Sequence, residues 1–139
     1  MNTDDTKMQI NEEELKQKLT PEQYQVLRQG GTEAPYSSPL HDEKAKGMYS
    51  CVVCGNQLFS SDTKYDSTVP GLMGWPSFED AIPGSVELKE DNSLGMRRTE
   101  VVCAKCGSHL GHIFDGDPSA KTGKHYCING ACLLMKKDA

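Results

Sequence analysis

The sequence predicts a mainly β fold, an antiparallel sheet or sandwich, with two short helices ahead of it and a four-cysteine metal clamp within it. Three observations carry this. From Met48 onward the chain breaks into short apolar runs, MYSCVVC, QLF, VEL, EVVC, HIF, HYCI and ACLLM, separated by Gly, Pro, Asn and Asp, which is the punctuation of strands. Only residues 11–30 have helical composition. Two C-x-x-C pairs, Cys51/Cys54 and Cys103/Cys106, repeat one pattern, C-x-x-C-G-x-x-L, through Leu58 and Leu110. At 139 residues a single domain is expected. Its expected parts are a helical arm over 1–47 packed on the core and a β core over 48–139 that carries both cysteine pairs.

In chain order, Leu15 and Leu19 lie four apart and Tyr24 and Leu27 three apart, the spacing of a helix face. Thr20-Pro21 divides the stretch into two helices: Thr20 caps the second, Pro21 takes its first position and Gln23 its third, and Gly30-Gly31 stops it. Helices this short need a body to dock against. Residues 31–47, rich in Gly, Pro, Ser and charge, read as an irregular arm wrapped on that body, with His41 a surface imidazole. The strands follow. Three Phe, one Trp and five Tyr are a thin aromatic supply, so a further constraint is expected to hold the sheets together.

Fifteen Lys+Arg against twenty Asp+Glu give a net charge of −5, and no basic cluster exceeds the pairs Arg97-Arg98 and Lys136-Lys137; nucleic acid is disfavoured as a partner. No run of 18 apolar residues exists, and the opening MNTDDTKMQI is polar and acidic. Neither a membrane span nor a secretory leader is therefore expected. The expected location is cytoplasmic and the expected state a monomer. Six cysteines in such a chain read as ligands or reactive thiols rather than disulfides.

Four thiolates at Cys51, Cys54, Cys103 and Cys106 match the four ligands of a tetrahedral metal, each pair biting one edge. Gly55 and Gly107 suit the turn after each pair, because glycine takes positive φ and lets backbone N–H groups approach sulfur. Structural Zn2+ is the expected occupant, iron being compatible with the same thiolates. A closed four-thiolate site has no open position, so catalysis falls to other residues. Two thiols remain, Cys127 and Cys132. A thiolate near imidazoles is a candidate nucleophile, and Gly111 between His109 and His112 permits a bulge that aims both rings at one pocket. The bland reading is one exposed and one satisfied histidine. Trp75, the only Trp, sits in Gly74-Trp-Pro-Ser-Phe78, either lining a pocket or plugging the core.

Taken together, YSCVVCGNQLFSSDTKYDS, GWPSF, EVVCAKCGSHLGHIFDGDP and TGKHYCIN resemble the methionine sulfoxide reductase B family in order and type, over roughly residues 12–135. The resemblance implies two antiparallel sheets, sandwich or barrel-like, with the zinc site opposite the active site. It also implies an oxidoreductase that reduces the R epimer of methionine sulfoxide, mainly in oxidised proteins, as part of oxidative-stress repair. By resemblance Cys127 is the nucleophile that becomes a sulfenic acid, and thioredoxin or another thiol reductant regenerates it. Trp75 is the wall for the substrate methyl and Phe114 a second wall. His109 and His112 orient and protonate the sulfoxide oxygen, beside Asn129.

Two positions depart from that family. His125, a substrate-binding candidate by that resemblance, stands where Arg is common two residues before the nucleophile, a cation only when protonated. Met73 stands where a resolving cysteine is common, in a loop, STVPGLM, that looks lengthened. Cys132 is an alternative resolving thiol. If Asn129-Gly130 turned as a hairpin, Cys127 and Cys132 would face each other about 4.5–5.5 Å apart; a straight strand would separate them by roughly 16 Å. The straight strand is the expectation. The competing functional readings are a zinc-ribbon-like binding module, which leaves GWPSF and HYCIN idle, and a peroxide-sensing thiol protein, which needs no methyl-binding Trp.

Overall fold

A computed structural model describes residues 11–69, 73–92 and 98–137; the predicted lengthening of the STVPGLM loop falls on 70–72, outside them. Two helices lead the chain, α1 (Glu12–Lys18) and α2 (Pro21–Gln29). The Asn11 side chain accepts the N–H groups of Glu13 and Glu14 at the start of α1. At α2 Thr20 and Gln23 form the expected reciprocal capping box, and Gly30 ends the helix in the left-handed conformation. Among the described residues eight strands follow: β1 (Gly47–Cys51), β2 (Gln57–Ser60), β3 (Ser77–Phe78), β4 (Val86–Asp91), β5 (Arg98–Cys103), β6 (His109–Asp115), β7 (Lys124–Ile128) and β8 (Leu133–Lys137). They form the two predicted antiparallel sheets, one of three strands in the order β2-β1-β8 and one of five in the order β3-β7-β6-β5-β4.

The sparse aromatics are concentrated where the sheets face each other. Tyr49 and Phe59, from the smaller sheet, meet Phe78 with ring centroids 5.0 and 4.4 Å apart, and Phe59 also meets Tyr126 at 5.7 Å. Leu15, Leu19, Val26 and Leu27 join the same buried cluster as these rings, so the helices complete the core by covering what the sheets leave open. Arg28 fixes that docking: its guanidinium pairs with Glu12 at 2.7 Å and donates to the Ser108 hydroxyl at 3.1 Å and the Cys106 carbonyl at 3.4 Å.

GWPSF holds a strand that the sequence did not single out. Ser77 and Phe78 pair with Cys127 and Tyr126 as the edge strand of the larger sheet; two residues bounded by Pro76 give no alternation from which a strand can be read. The segment after Cys127 also differs from both expectations. Gly130–Cys132 form one 3-10 turn, with the Cys132 N–H donating to the Asn129 carbonyl, and the chain passes from the larger sheet to the smaller one. It is neither a hairpin nor a straight strand.

Replacing Thr20 with Ala removes one half of the capping box and is expected to cost about 1 kcal/mol. In urea titration the midpoint should fall with the slope unchanged.

Candidate active site

The two knuckles come from different sheets, one between β1 and β2, the other between β5 and β6. Their sulfurs nevertheless lie within 4.8 Å of one another, with Cys51 3.7 Å from Cys106 and Cys54 3.6 Å from Cys103. A tetrahedral ion with metal–sulfur bonds near 2.3 Å has edges of roughly 3.8 Å, so the donor set fits a metal ion. Gly55 and Gly107 both adopt positive φ, 79° and 76°, as the knuckles require. Asn56 turns its amide toward the Cys103 sulfur at 3.6 Å.

Cys127 sits on β7 between β3 and β6, opposite Ser77 on one side and His112 on the other. A cavity of about 130 Å³ opens beside it, lined by Trp75, His112, Phe114 and Asn129 among the expected residues. Thr32 and Arg98, which the sequence did not single out, line it too; Arg98 was visible only as half of a basic pair, and Thr32 carried no signal. The predicted bulge is present. Val101 pairs with Gly111 and Val102 with His109, leaving Leu110 as the extra residue. As a result the His109 and His112 rings meet edge-on with centroids 5.5 Å apart. Gly111 is required by close approach, since a Cβ there would strike the Cys127 carbonyl.

Each histidine has a carboxylate. His112 Nε2 lies 2.7 Å from Asp91, which also pairs with Arg98 at 3.3 Å, and His109 Nδ1 lies 2.6 Å from Glu100. His109 lines an adjoining cavity with Asp91, Arg98 and Glu100 rather than the cleft beside Cys127. Its Nε2 is buried without a partner, and burial holds its pKa below the usual imidazole value.

His125 and Cys132 stand apart from the cleft. His125 is fully buried; its Nδ1 meets Asp117 at 3.0 Å and its Nε2 meets the Ser77 hydroxyl at 2.9 Å. Asp117 also accepts from the hydroxyls of Tyr65 and Ser67 and from the Ser119 N–H. Burial alone would raise the Asp117 pKa, but these donors hold it well below the carboxylate range. That anion draws the His125 proton to Nδ1, while the Ser77 hydroxyl beside Nε2 also reaches the Trp75 carbonyl at 3.2 Å. Burial pushes the His125 pKa down despite Asp117. Cys132 is fully buried, its thiol donating to the His109 carbonyl at 3.4 Å.

A residue with no sequence signal organises the cleft. Glu33, in the arm, donates its N–H to Asn129 Oδ1 (2.9 Å) and accepts the Trp75 indole N–H on its carbonyl (2.9 Å). Its carboxylate receives the N–H groups of Gly130 and Ala131 at 2.8 and 2.9 Å. Asn129 Nδ2 in turn donates to the Leu110 carbonyl at 2.9 Å, which leaves one amide hydrogen uncommitted. Burial of the sulfur, with Glu33 adding negative charge, pushes the Cys127 thiol up to about 12.

Residues 19–137 match the SelR domain family. The chain is 57% identical over 129 residues to the peptide methionine sulfoxide reductase MsrB of Methanosarcina barkeri, covering 92% of this chain and 87% of that one. The protein of the same name from Leptospira interrogans is 49% identical, with 92% and 95% covered. The mitochondrial methionine-R-sulfoxide reductase B3 of Mus musculus is 47% identical, with 91% and 49% covered. Among solved structures, the Mis18 "Yippee-like" domain superposes with a TM-score of 0.53 at 17% identity over 68% of this chain and 98% of that one, a likeness of fold alone.

The resting thiol should behave as its burial dictates. Alkylation of Cys127 by iodoacetamide, followed by mass spectrometry, is expected to accelerate steadily beyond pH 9 with no plateau near neutrality.

A second expectation concerns acid. His109 and His125 are held below the ordinary imidazole value near 6.5, so the unfolded chain binds their protons first. Their contribution to stability is full above that value and is lost as pH falls through the lowered folded values, at up to about 1.4 kcal/mol per pH unit for each group. Glu33, raised by burial, works in the opposite direction. Urea titrations of wild type and His125→Asn between pH 7.5 and 5 isolate the His125 share, and the variant should show the shallower loss.

Proposed function

The chain belongs to the SelR-domain family of peptide methionine sulfoxide reductases, and on that premise we propose that it reduces the R epimer of methionine sulfoxide, mainly in oxidised proteins, with Cys127 as nucleophile. The observation that carries this is a single cleft in which a thiol, an indole and two polar side chains meet: Cys127, Trp75, His112 and Asn129. A methyl sulfoxide has an apolar methyl and a strongly polar S–O bond. Telling its epimers apart takes an apolar wall on one side and hydrogen-bond donors on the other. Trp75 and Phe114 supply the wall, and His112 with the remaining Asn129 amide hydrogen supplies the donors.

Cys127 Sγ attacks the sulfoxide sulfur, the S–O bond breaks, and the oxygen ends on the cysteine: thiol plus sulfoxide gives sulfenic acid plus thioether. Because the resting thiol is protonated, activation comes with the charge that grows on oxygen, and His112 across from Cys127 delivers the proton there. His109, braced by Glu100, backs the His112 ring. His125 acts from behind, holding Ser77 beside Cys127 rather than touching substrate.

An external dithiol such as thioredoxin finishes the cycle. One thiol displaces water from the sulfenic acid to form a mixed disulfide, and its second thiol releases reduced Cys127. This route is supported by Met73 at the position where a resolving cysteine is common and by the burial of Cys132 against His109. We assign zinc to the four-cysteine site, where it supplies a rigid cross-link with no open coordination position. No helix among the described residues is long and apolar enough to cross a membrane.

The test is a reductant-free single turnover with each epimer separately, counting methionine released and thiols lost. About one equivalent of methionine from the R epimer alone, with Cys127 oxidised and Cys132 still reduced, is expected. No methionine from either epimer, with Cys127 oxidised only by peroxide, overturns the reading in favour of a peroxide sensor.

A further inference from the structure

Trp75 has two cavities beside it. The first holds Cys127; the second, about 140 Å³, is lined by Tyr36, His41, Tyr65, Asp66, Met73 and Trp75, with three smaller residues completing it. Nothing in the reaction proposed above uses this second space.

Its rim contains the one strained backbone position of a residue other than glycine among the described residues. Tyr36 has φ 63°, a conformation that such side chains sparsely populate. It is held there by its N–H donating to the Gly74 carbonyl at 2.7 Å. Gly74, at φ 102°, leaves no room for a Cβ against Pro35 and the Tyr36 ring. The strain does not serve packing, because Tyr36 is 60% exposed. What it does is stand the ring at the mouth of the cavity, edge-on to His41 with centroids 5.1 Å apart. Met73, 46% exposed, lies on the same rim. The carboxylate in the lining, Asp66, is already paired with Lys44 at 2.6 Å, and the cavity offers four rings and a thioether beside the hydroxyls of Ser67 and Ser77.

We propose that this cavity is a specificity subsite that takes an aromatic side chain one or two residues from the oxidised methionine of a protein substrate. The proposal rests on the reductase reading, since the shared wall at Trp75 is what places the two side chains of one peptide side by side. Neighbouring residues of an extended chain are separated by about 3.3–3.6 Å each, the scale of the indole that divides the cavities. Aromatic rings and a methionine select planar apolar groups through edge-on and offset contacts. A cation or an anion gains less, with Asp66 neutralised.

The experiment uses the whole protein and the R epimer of blocked pentapeptides, Ala-Ala-Met(O)-Ala-Ala, with each flanking Ala replaced in turn by Phe, Lys or Glu. Phe at one flanking position is expected to raise kcat/KM roughly three- to tenfold through KM, the value of one aromatic pair. Tyr36→Phe should keep that preference. Tyr36→Gly, which relieves the positive φ while removing the ring, should bring the Phe-to-Ala ratio to near one. A ratio within twofold of one at every position, a ratio that survives Tyr36→Gly, or selection of Lys or Glu instead overturns the subsite. Reduction of the all-Ala peptide separates the two readings: if it proceeds without a flanking preference, only the subsite falls; if it fails altogether, the reductase reading falls as well.

Discussion

The burial of one carboxylate, Glu33, governs how the arm, the sheets and the cleft fit together. A buried anion is costly unless donors surround it, and the N–H groups of Gly130 and Ala131 are the donors at hand. Those two amides belong to the single turn that carries the chain from the larger sheet to the smaller one. Once the carboxylate is seated there, the backbone of Glu33 reaches both Asn129 and Trp75. A segment without regular structure thus fixes the apolar wall and the polar side of the pocket through one residue. This also explains why an arm so rich in Gly, Pro and Ser stays against the core.

The second constraint is the bulge in β6. One extra residue, Leu110, brings two histidines to neighbouring positions and lets β7 approach closely over Gly111. The strand enters from the knuckle of Cys103 and Cys106, the latter only three residues upstream of His109, and α2 anchors the same knuckle through Arg28. Metal clamp and histidine pair follow each other on one stretch of chain, and the helical leader docks on that same stretch through Arg28.

Much of this was legible in the sequence. The strand runs, the capping box at Thr20, the paired knuckles with Gly55 and Gly107 and the bulge at Gly111 are local patterns, and each has a physical cause confined to a few neighbouring residues. What stayed hidden depends on partners far apart in the chain. Glu33 and Asn129 are 96 positions apart, and nothing about a Glu in a loop announces that it will be buried. Asp117 and Ser77 likewise acquire meaning only when His125 is placed between them, which turned a residue expected at the substrate into one enclosed behind it. The Asn129-Gly130 dipeptide carried a true turn signal but the wrong kind of turn, because Glu33 captures the amides that a hairpin would have used otherwise.

The four clustered sulfurs have a bearing on the conditions the fold can withstand. Methionine sulfoxide accumulates under hydrogen peroxide and related oxidants, and a clamp of cysteine sulfur is open to attack by the same agents. Cys51, Cys103 and Cys106 are buried, whereas Cys54 is only partly covered. Cys54 is therefore the point at which a rising oxidant dose first meets the scaffold, and its shielding sets the ceiling on the oxidative load under which the molecule keeps its shape.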